Sequence, residues 1–368
     1  MRSRRHLFSI IALLSFALGL AGCKGFFTDR LSTPAGTVGL LYVANFNGGA
    51  QGSISEFTIA FTTGFLGAVT GSPISSGTGT VALALDSTGK LLYAANQSGG
   101  ISGFSVDHSS GTLTALAGSP FPITAGSTPI DILVDRKSRF VFVASSVSNS
   151  ISSYTLNTST GLLTPVAGSP FAVGSGTPFG LAEDPAGKFL YVNSGAAGIK
   201  AFVINSSGTL SAGPAIAAAT TGSVAMAFNL AGTFAYGVDG ISSASAYSAD
   251  GATGILTLVG SSVTGSAPVA LDIDPSSKFV YVTNQTSGSL SAFKIASNGT
   301  LAQISGSPFV TGTSPSAVRV DKSGSFVYVA NQSSNTISLF TLNSSSGALT
   351  SAGTSATGSQ PVSIVVTQ

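Results

Sequence analysis

The stretch that decides the fold is Phe326-Val327-Tyr328-Val329-Ala330-Asn331, an apolar and aromatic run that closes on an Asn. Variants of this signature stretch recur seven times along the chain and begin at Leu40, Leu91, Phe140, Phe189, Phe234, Phe279 and Phe326. Short runs rich in Val, Phe and Tyr between polar turns are typical of β-strands. Because the run recurs at a regular spacing, it indicates that one structural unit is repeated along the chain.

Each repeat contains four strand-like runs. In the sixth repeat these runs cover residues 269–274, 279–283, 290–295 and 300–304, and polar turns separate them. The aromatic residues of the signature stretches, from Tyr42 to Tyr328, are spaced 45 to 51 residues apart. Four strands in about 40–50 residues is the period of a β-propeller blade. No stretch after residue 39 shows a sustained helical pattern.

The two ends of the repeat region predict a closed ring. The chain enters the repeats on a signature strand, residues 40–44, and leaves on an inner strand, residues 361–366, that no signature strand follows. Joined, the two ends complete one blade, and a ring closed in this way has no unpaired end strand. We therefore predict an all-β, seven-bladed β-propeller over residues 40–368, with four antiparallel strands per blade and a first blade closed by strands from both termini.

One aromatic residue per blade recurs on the signature strand and another on the third strand. The members on the third strand are Phe57, Phe104, Tyr154, Phe202, Tyr247, Phe293 and Phe340. We expect these side chains to pack between neighbouring blades, where each burial contributes about 1.5–3 kcal/mol. The chain has no Trp, which disfavours a sugar-stacking platform.

The first 23 residues have the pattern of a targeting signal. A basic start is followed by an apolar run, residues 7–20, that is too short to span a bilayer comfortably. The run ends in Leu20-Ala21-Gly22-Cys23, which resembles a bacterial lipobox. The alternative is an ordinary secretory signal with an unrelated Cys.

The resemblance to a lipobox implies a signal peptide over residues 1–22 and a lipid-modified Cys23. Residues 23–39 then form a lipid-anchored tether, and the protein is attached to membrane lipid on the extracytoplasmic side of a bacterial cell envelope. Two or more acyl chains suffice for stable attachment. Cys23 is the single Cys, so no intrachain disulfide is possible.

The composition limits the classes of partner. Charged residues make up 8% of the chain, against roughly 25% in an average soluble protein. The formal net charge of +2 includes Arg2, Arg4 and Arg5, and without them it becomes −1. Because a nucleic-acid partner requires a strongly basic surface, the sequence predicts none.

The repeated Tyr-Val-x-Asn strands, Asp-Pro-x-Gly-Lys turns and Gly-x-Leu-Thr hairpins resemble those of the seven-bladed lactonase-type propellers, also described as YVTN-repeat proteins. The resemblance covers roughly residues 40–366. The family includes 6-phosphogluconolactonases, carboxymuconate-cyclising enzymes and many secreted repeat proteins without an assigned reaction. The resemblance implies a site at the mouth of the central tunnel that uses His, Arg and acidic side chains.

Several kinds of catalytic site lack the residues they need. His108, the single His outside the signal, lies in a turn between two outer strands, and we predict it to be an exposed turn residue. The sequence contains no His/Cys cluster of the kind that binds a metal, so neither a metal site nor a cofactor is predicted. The lone Cys and the absence of an activated Ser disfavour nucleophilic catalysis.

Four charged residues stand out on the inner strands that line the tunnel, where most blades carry Ala, Val, Leu or Ile. They are Asp131, Glu183, Asp272 and Arg319. Asp272 and Arg319 occupy the same position in successive blades, which favours a salt bridge between blades. In the functional alternative, Arg319 and Asp272 bind substrate, with Arg319 holding an anionic group, while Glu183 or Asp131 acts as a base on water. Burial raises the pKa of such a carboxylate toward the working range.

Two further sets of polar residues recur by blade. We interpret the turn residues Asp86, Asp135, Asp184, Asp274 and Asp321 as structural, because Asp bonds nearby backbone N–H groups. Basic residues in the same turns form a sparse ring that meets either solvent or an anionic lipid or polymer; they are Lys90, Arg136, Lys137, Arg139, Lys188 and Lys278. We expect the opposite face to present a polar, uncharged rim suited to peptide or glycan; it comprises Asn45, Asn96, Gln97, Asn284, Gln285, Asn331 and Gln332.

Two classes of function follow. The low charge and the lack of His favour a binding or scaffold module for a small molecule, peptide or glycan. The family resemblance favours a lactone hydrolase of the 6-phosphogluconolactonase type.

Overall fold

The computed structural model describes residues 39–98, 100–124, 126–216 and 222–367. The predicted signal peptide, the lipidation site Cys23 and the tether up to residue 38 lie outside these ranges, so those predictions stay untested. No helix in the described ranges is long and apolar enough to cross a membrane.

The strands are numbered in chain order, and each repeat of the sequence contributes one group. The first group is β1 (Gly39–Asn45), β2 (Gln51–Ile59), β3 (Leu66–Ala68) and β4 (Ile74–Thr78), with a short 3-10 helix over Asn47–Gly49. The second is β5 (Thr80–Leu85), β6 (Leu91–Asn96), β7 (Gly100–Val106) and β8 (Leu113–Ala115). The third is β9 (Pro129–Val134), β10 (Phe140–Ser145), β11 (Ser150–Leu156), β12 (Leu163–Pro165) and β13 (Phe171–Ala172). The fourth is β14 (Gly180–Glu183), β15 (Phe189–Asn193), β16 (Ile199–Ile204) and β17 (Leu210–Ala212).

The remaining strands follow the same order. The fifth group is β18 (Ala225–Phe228), β19 (Phe234–Val238), β20 (Ser243–Ala249) and β21 (Leu256–Val263). The sixth is β22 (Pro268–Ile273), β23 (Phe279–Asn284), β24 (Ser289–Ile295), β25 (Leu301–Gln303) and β26 (Phe309–Val310). The seventh is β27 (Pro315–Val320), β28 (Phe326–Asn331), β29 (Thr336–Leu342) and β30 (Leu349–Ala356), and the last strand is β31 (Pro361–Val366).

The strands form seven antiparallel sheets, each with a four-strand path, which confirms the predicted seven-bladed propeller. The short strands β4, β13 and β26 add an extra pairing to the third strand of their blades. The innermost strands contact one another in cyclic order and surround a central tunnel. Buried apolar side chains form seven clusters, and each cluster fills the gap between two neighbouring blades.

The first blade is closed by both ends of the repeat region, as predicted. Strand β31 is its innermost strand and pairs antiparallel with β1 over the register from Leu41↔Val366 to Asn45↔Pro361. Beyond the strand, the Thr367 amide donates to the Leu40 carbonyl at 2.9 Å, and the Leu40 amide donates to Thr367 Oγ1 at 3.0 Å. Every strand of the seven sheets therefore lies between Gly39 and Val366, and the ring is complete within the described residues.

The signature aromatics pack between blades as predicted, and most of them also make a hydrogen bond that the sequence did not show. All seven are at most 1% exposed. Five Tyr hydroxyls donate to a glycine carbonyl in an outer turn of the next blade at 2.7–2.9 Å; the pairs are Tyr42–Gly111, Tyr93–Gly161, Tyr191–Gly254, Tyr281–Gly347 and Tyr328–Gly64. These glycines have φ between +72° and +81°, a conformation that side chains disfavour.

Two blades depart from this pattern. Blade 3 carries Phe142 in place of Tyr, and there Ser153 Oγ donates to the Gly208 carbonyl at 2.7 Å. In blade 5 the Tyr236 hydroxyl is buried and has no hydrogen-bond partner among the described residues. The seam between blades 5 and 6 therefore lacks a bond that five other seams make through Tyr.

Tyr93→Phe and Tyr236→Phe form a matched pair that measures this bond. We expect Tyr93→Phe to lower the free energy of unfolding by about 1–2 kcal/mol, because the Gly161 carbonyl loses its donor in a buried seam. Tyr236→Phe should cause no loss, because it removes an unpaired buried hydroxyl. Denaturant unfolding of both variants measures the difference, and equal losses would contradict the assignment.

Candidate functional site

The turns from inner to signature strands set one end of the propeller. Five of them carry a buried Asp whose Oδ1 accepts the N–H of the first signature-strand residue at 2.6–2.8 Å; the pairs are Asp86–Leu91, Asp135–Phe140, Asp184–Phe189, Asp274–Phe279 and Asp321–Phe326. This is the structural role predicted from the sequence. We call these turns, with the equivalent turn at Asn229, the Asp turns.

Neighbouring Asp turns hydrogen-bond to one another at three seams of the ring. The Ser87 amide donates to Ser138 Oγ at 2.8 Å, Lys137 Nζ to the Ala186 carbonyl at 2.9 Å, and the Leu230 amide to Ser277 Oγ at 3.1 Å. All the Asp turns lie at this end of the tunnel, and we call the surface that they form the Asp-turn face.

A cavity of about 490 Å³ opens at this face and is lined by the inner strands and turns of blades 3 to 7. Its walls include the charged residues Arg136, Glu183, Asp272 and Arg319. A second cavity of about 220 Å³ continues toward the opposite end and is lined by all seven inner strands. Arg319 lines both cavities and so lies at their junction. The larger cavity falls in the size range of small-molecule sites, roughly 300–1,000 Å³.

Glu183 lines the larger cavity, and one of its two carboxylate oxygens lacks a hydrogen-bond donor among the described residues. The last residue of β14, it is 5% exposed, and its Oε2 accepts the Arg136 amide of the neighbouring blade at 2.8 Å. Its Oε1 is buried and has no hydrogen-bond partner among the described residues. Burial raises the pKa of Glu183 to about 7, and the Arg136 amide and guanidinium oppose that rise. Near neutral pH, Glu183 can therefore accept or release a proton.

Asp272 and Arg319 lie in the same cavity but do not form the salt bridge that the sequence favoured. Asp272 Oδ2 accepts the Val320 amide of the next blade at 2.8 Å, and its Oδ1 accepts the Ile273 amide at 3.0 Å. Arg319 Nη1 donates to the Val318 carbonyl at 3.0 Å. Among the described residues the side-chain ion pair is Arg139–Asp135 at 2.8 Å instead. Asp272 is thus bonded to a backbone amide of β27 in the next blade instead of to the guanidinium of Arg319.

The electrostatics of Asp272 and Arg319 remain coupled without a direct contact. Burial raises the pKa of Asp272, and the positive charge of Arg319 opposes that rise. The remaining guanidinium nitrogens of Arg319 make no hydrogen bond that is seen among the described residues. Arg319 therefore presents a cation to the cavity that is not neutralised by a paired carboxylate.

Asp131 belongs to the second cavity, apart from Glu183. Its Oδ2 accepts the Leu181 amide of the next blade at 2.8 Å and its Oδ1 accepts the Ile132 amide at 2.9 Å. Burial raises the pKa of Asp131 to about 6, and the two amides and the charge of Arg319 oppose the rise. The structure thus brings Glu183, Asp272 and Arg319 to one cavity and places Asp131 beyond Arg319.

Arg136 is a cavity residue that the sequence predicted only as a member of the basic ring. It follows Asp135 in the turn Asp135-Arg136-Lys137-Ser138-Arg139, at a position where blades 4 and 6 carry Pro185 and Pro275. This difference from the other repeats was the one feature of the sequence that set Arg136 apart. The sequence did not reveal that this position faces the tunnel mouth.

Two predictions about polar residues need correction. The Asn residues of the predicted rim are fully buried, where their side chains bond Ser and Thr hydroxyls and loop backbone; they are Asn45, Asn96, Asn284 and Asn331. A buried amide cannot present itself to a peptide or glycan. His108 is half-buried rather than exposed, because its Nε2 bonds the Gly89 carbonyl at 3.0 Å. No group of three His, Cys, Asp or Glu residues able to hold a metal occurs in the described ranges.

Comparisons with known proteins agree with this geometry. The family model described as "Lactonase, 7-bladed beta-propeller" matches residues 40–366. A putative 6-phosphogluconolactonase from Bacteroides fragilis is 21% identical with a TM-score of 0.80, over 91% of this chain and 99% of that one. The periplasmic gluconolactonase PpgL of Pseudomonas aeruginosa is 19% identical with a TM-score of 0.76, over 90% and 99% of the two chains. A search of curated proteins found no match. At these identities the solved structures show the shared fold alone.

Proposed function

Because this chain belongs to the lactonase family of seven-bladed β-propellers, we propose that it hydrolyses small anionic lactones in the 490 Å³ cavity at the Asp-turn face. The observation that carries the proposal is Glu183, a buried carboxylate with one oxygen held by a backbone amide and the other free. Arg136 and Arg319 line the same cavity and supply the positive charge that an anionic substrate needs.

In the proposed reaction Glu183 acts as general base. Glu183 Oε1, which is buried in this structure, must turn toward the cavity to meet a water molecule. The carboxylate then takes a proton from that water, and the resulting hydroxide attacks the lactone carbonyl carbon. The bond between that carbon and the ring oxygen then breaks, and the proton held by Glu183 passes to the ring oxygen. The product is a hydroxy acid, so lactone plus water accounts for every atom. A base with a pKa near the working pH is suited to this transfer.

The arginines act on charge rather than on protons. Arg319, at the junction of the two cavities, is placed to hold an anionic group of the substrate away from the reacting carbonyl. Arg136, whose backbone amide fixes Glu183, lies at the mouth of the cavity. Asp272 and Asp131 both have their carboxylate oxygens bonded to backbone amides, so we assign them a role in tying blades together.

The same cavity does not favour the binding-module alternative. The rim that supported a peptide or glycan ligand loses its four Asn residues to the interior. A cavity for a passive ligand also gives no reason for a buried glutamate with an unpaired oxygen, which lowers stability. The glycan and peptide ligands remain untested predictions.

Arg319→Ala tests the proposal directly. Acid release from a panel of anionic and neutral sugar lactones is measured with the chain of residues 24–368. We expect acceleration over spontaneous hydrolysis, and we expect Arg319→Ala to lower kcat/KM for anionic lactones by about 10–100-fold, the worth of one charged hydrogen bond. Neutral lactones should be affected much less.

Lys200→Ala is the control, since Lys200 is a cation on β16 that does not line the cavity. Its rates should equal those of the unmodified chain. Background-level hydrolysis of every lactone by a folded protein would overturn the proposed function.

The pH profile tests the role of Glu183 separately. Because a general base must be ionised, kcat/KM should rise with pH and reach half its maximum near pH 7, where the raised pKa of Glu183 lies. The rates are corrected for spontaneous hydrolysis at each pH. A profile that stays flat or falls between pH 6 and pH 8 would rule out Glu183 as the base.

A further inference from the structure

The basic residues of the propeller are concentrated at one end. The described residues contain ten Lys and Arg, and seven of them lie in the Asp turns. These seven are Lys90, Arg136, Lys137, Arg139, Lys188, Lys278 and Lys322. The structure adds Lys322 to the ring that the sequence predicted. Of the other three, Arg319 lies in the tunnel and Lys294 lies on β24. Lys200 lies on β16, near the end of the propeller that is opposite the Asp turns.

The acidic residues of the same turns do not reach the surface. The five turn Asp residues are at most 9% exposed, with their oxygens bonded to backbone amides beneath the basic side chains. Among the described residues, the exposed acids at this end are Asp107 and Asp250, in outer turns. In the part of the chain that the structure describes, the charged side chains at the opposite end are Lys200 and Asp239. The outermost layer of the Asp-turn face is therefore positive, while the other face is nearly uncharged.

The polypeptide enters the propeller at this same face. Gly39, the first described residue, lines a cleft together with Asp321 and Lys322 of the blade 7 Asp turn. If Cys23 carries the lipid that its sequence context predicts, the 15 residues between Cys23 and Gly39 span at most about 55 Å. An anchor that leaves from the Asp-turn face lets this face reach the bilayer with a shorter span of chain than the opposite face would need.

We propose that the Asp-turn face docks on the anionic surface of a lipid bilayer. Separate cations spread around a ring match many lipid phosphates at once, whereas a single small anion would require them to converge. Phe61 and Leu230, which are 86% and 70% exposed on this face, add apolar contact with the headgroup region. Exposed apolar side chains occur at both ends of the propeller, so the cations are what distinguish this face.

Binding to vesicles tests the charge requirement. The chain of residues 24–368 contains every strand of the ring and no Cys, so it needs no lipid to be studied. With vesicles of phosphatidylcholine containing about one third phosphatidylglycerol, we expect at least about tenfold stronger partitioning than with phosphatidylcholine alone. The binding should weaken as salt is added, because exposed charges are screened.

A set of neutralised lysines identifies the face. The combined variant Lys90→Gln, Lys188→Gln, Lys278→Gln should lose about tenfold or more in partitioning, and Lys200→Gln should lose none. These three side chains are exposed, and their turns are held through backbone amides, so circular dichroism should show the unmodified fold. None of them lines the proposed catalytic cavity.

A matched pair of labels reports orientation without altering charge. Ala186 and Ala196 are both exposed residues of blade 4, one in its Asp turn and the other at the opposite end. With a polarity-sensitive fluorophore on Ala186→Cys or Ala196→Cys, vesicles should shift and quench the first label and leave the second unchanged.

Four results would overturn the proposal: equal binding to neutral vesicles, no loss in the triple variant, insertion of the label at position 196, or binding of a soluble polyanion without binding of vesicles. No step of this experiment uses lactone hydrolysis. The 490 Å³ cavity opens at this same face, so lactone hydrolysis is measured without vesicles, and a failure of either proposal is distinguished from a failure of the other.

Discussion

Glu183→Gln should abolish lactone hydrolysis, with kcat reduced by about 10²–10⁴-fold, because a glutamine cannot take the proton from water. The substitution keeps the size of the side chain and an oxygen that accepts the Arg136 amide. Acid release at pH 8 measures the loss. The matched control is Glu56→Gln, which changes another buried glutamate whose Oε1 accepts the Leu113 amide at the seam of blades 1 and 2.

Glu56→Gln should leave hydrolysis unchanged, because Glu56 does not line the cavity. Equal losses in the two variants would indicate a general effect on the fold. A Glu183→Gln variant that hydrolyses lactones at the unmodified rate would remove Glu183 from the mechanism.

The same substitution should stabilise the protein at alkaline pH. The pKa of Glu183 is raised from 4.5 to about 7 in the folded state, so the folded protein holds this proton more tightly than the unfolded chain does. The associated stability is fully present below about pH 4.5 and is lost as the pH rises through 7. Above pH 8, ionised Glu183 costs the fold up to about 3 kcal/mol, a cost that Gln avoids. Denaturant unfolding at pH 5 and pH 8.5 should show the gain mainly at the higher pH.

Removal of the closing strand should have the largest effect on stability. A chain that ends at Gln360 lacks β31, which supplies the innermost strand of blade 1. It loses the backbone pairing with β1 and the burial of Ile364 and Val365, which are 1% and 7% exposed. Together these contribute about 5–10 kcal/mol, comparable to the whole stability of a typical domain. We expect no cooperative thermal unfolding and an enlarged hydrodynamic radius.

The control for the truncation is a chain that ends at Thr367. It keeps β31 and both hydrogen bonds between Thr367 and Leu40, so it should unfold at the same temperature as the full chain. If the chain ending at Gln360 unfolds cooperatively with unchanged stability, closure by both termini is not what holds the ring together.

The repeat was sufficient to predict the architecture. Six of the seven signature strands start at the first residue of their signature stretch, and β1 starts one residue earlier, at Gly39. This succeeds because strand alternation, turn residues and aromatic spacing are local properties that recur seven times and reinforce one another. The pairing of β31 with β1 was also predictable. The first repeat lacks an inner strand and the last strand lacks a signature strand, so pairing these two strands completes one blade.

The site depended on contacts that span blades. The sequence picked out Glu183, Asp272 and Arg319 as outliers, but it did not separate them from Asp131 or include Arg136. It favoured a salt bridge where the fold instead bonds Asp272 to the Val320 amide. It also predicted four asparagines to lie on the surface, whereas in the structure all four are buried.

The sequence by itself determined the number of blades, the strand order and the way the ring closes, because each follows from patterns within a few residues. The tertiary structure alone decided which charges share a cavity and which acceptors remain unpaired. The reason is physical: the partners of an inner-strand side chain lie on the next blade, about 50 residues away, and free backbone amides at that edge compete for the same carboxylates.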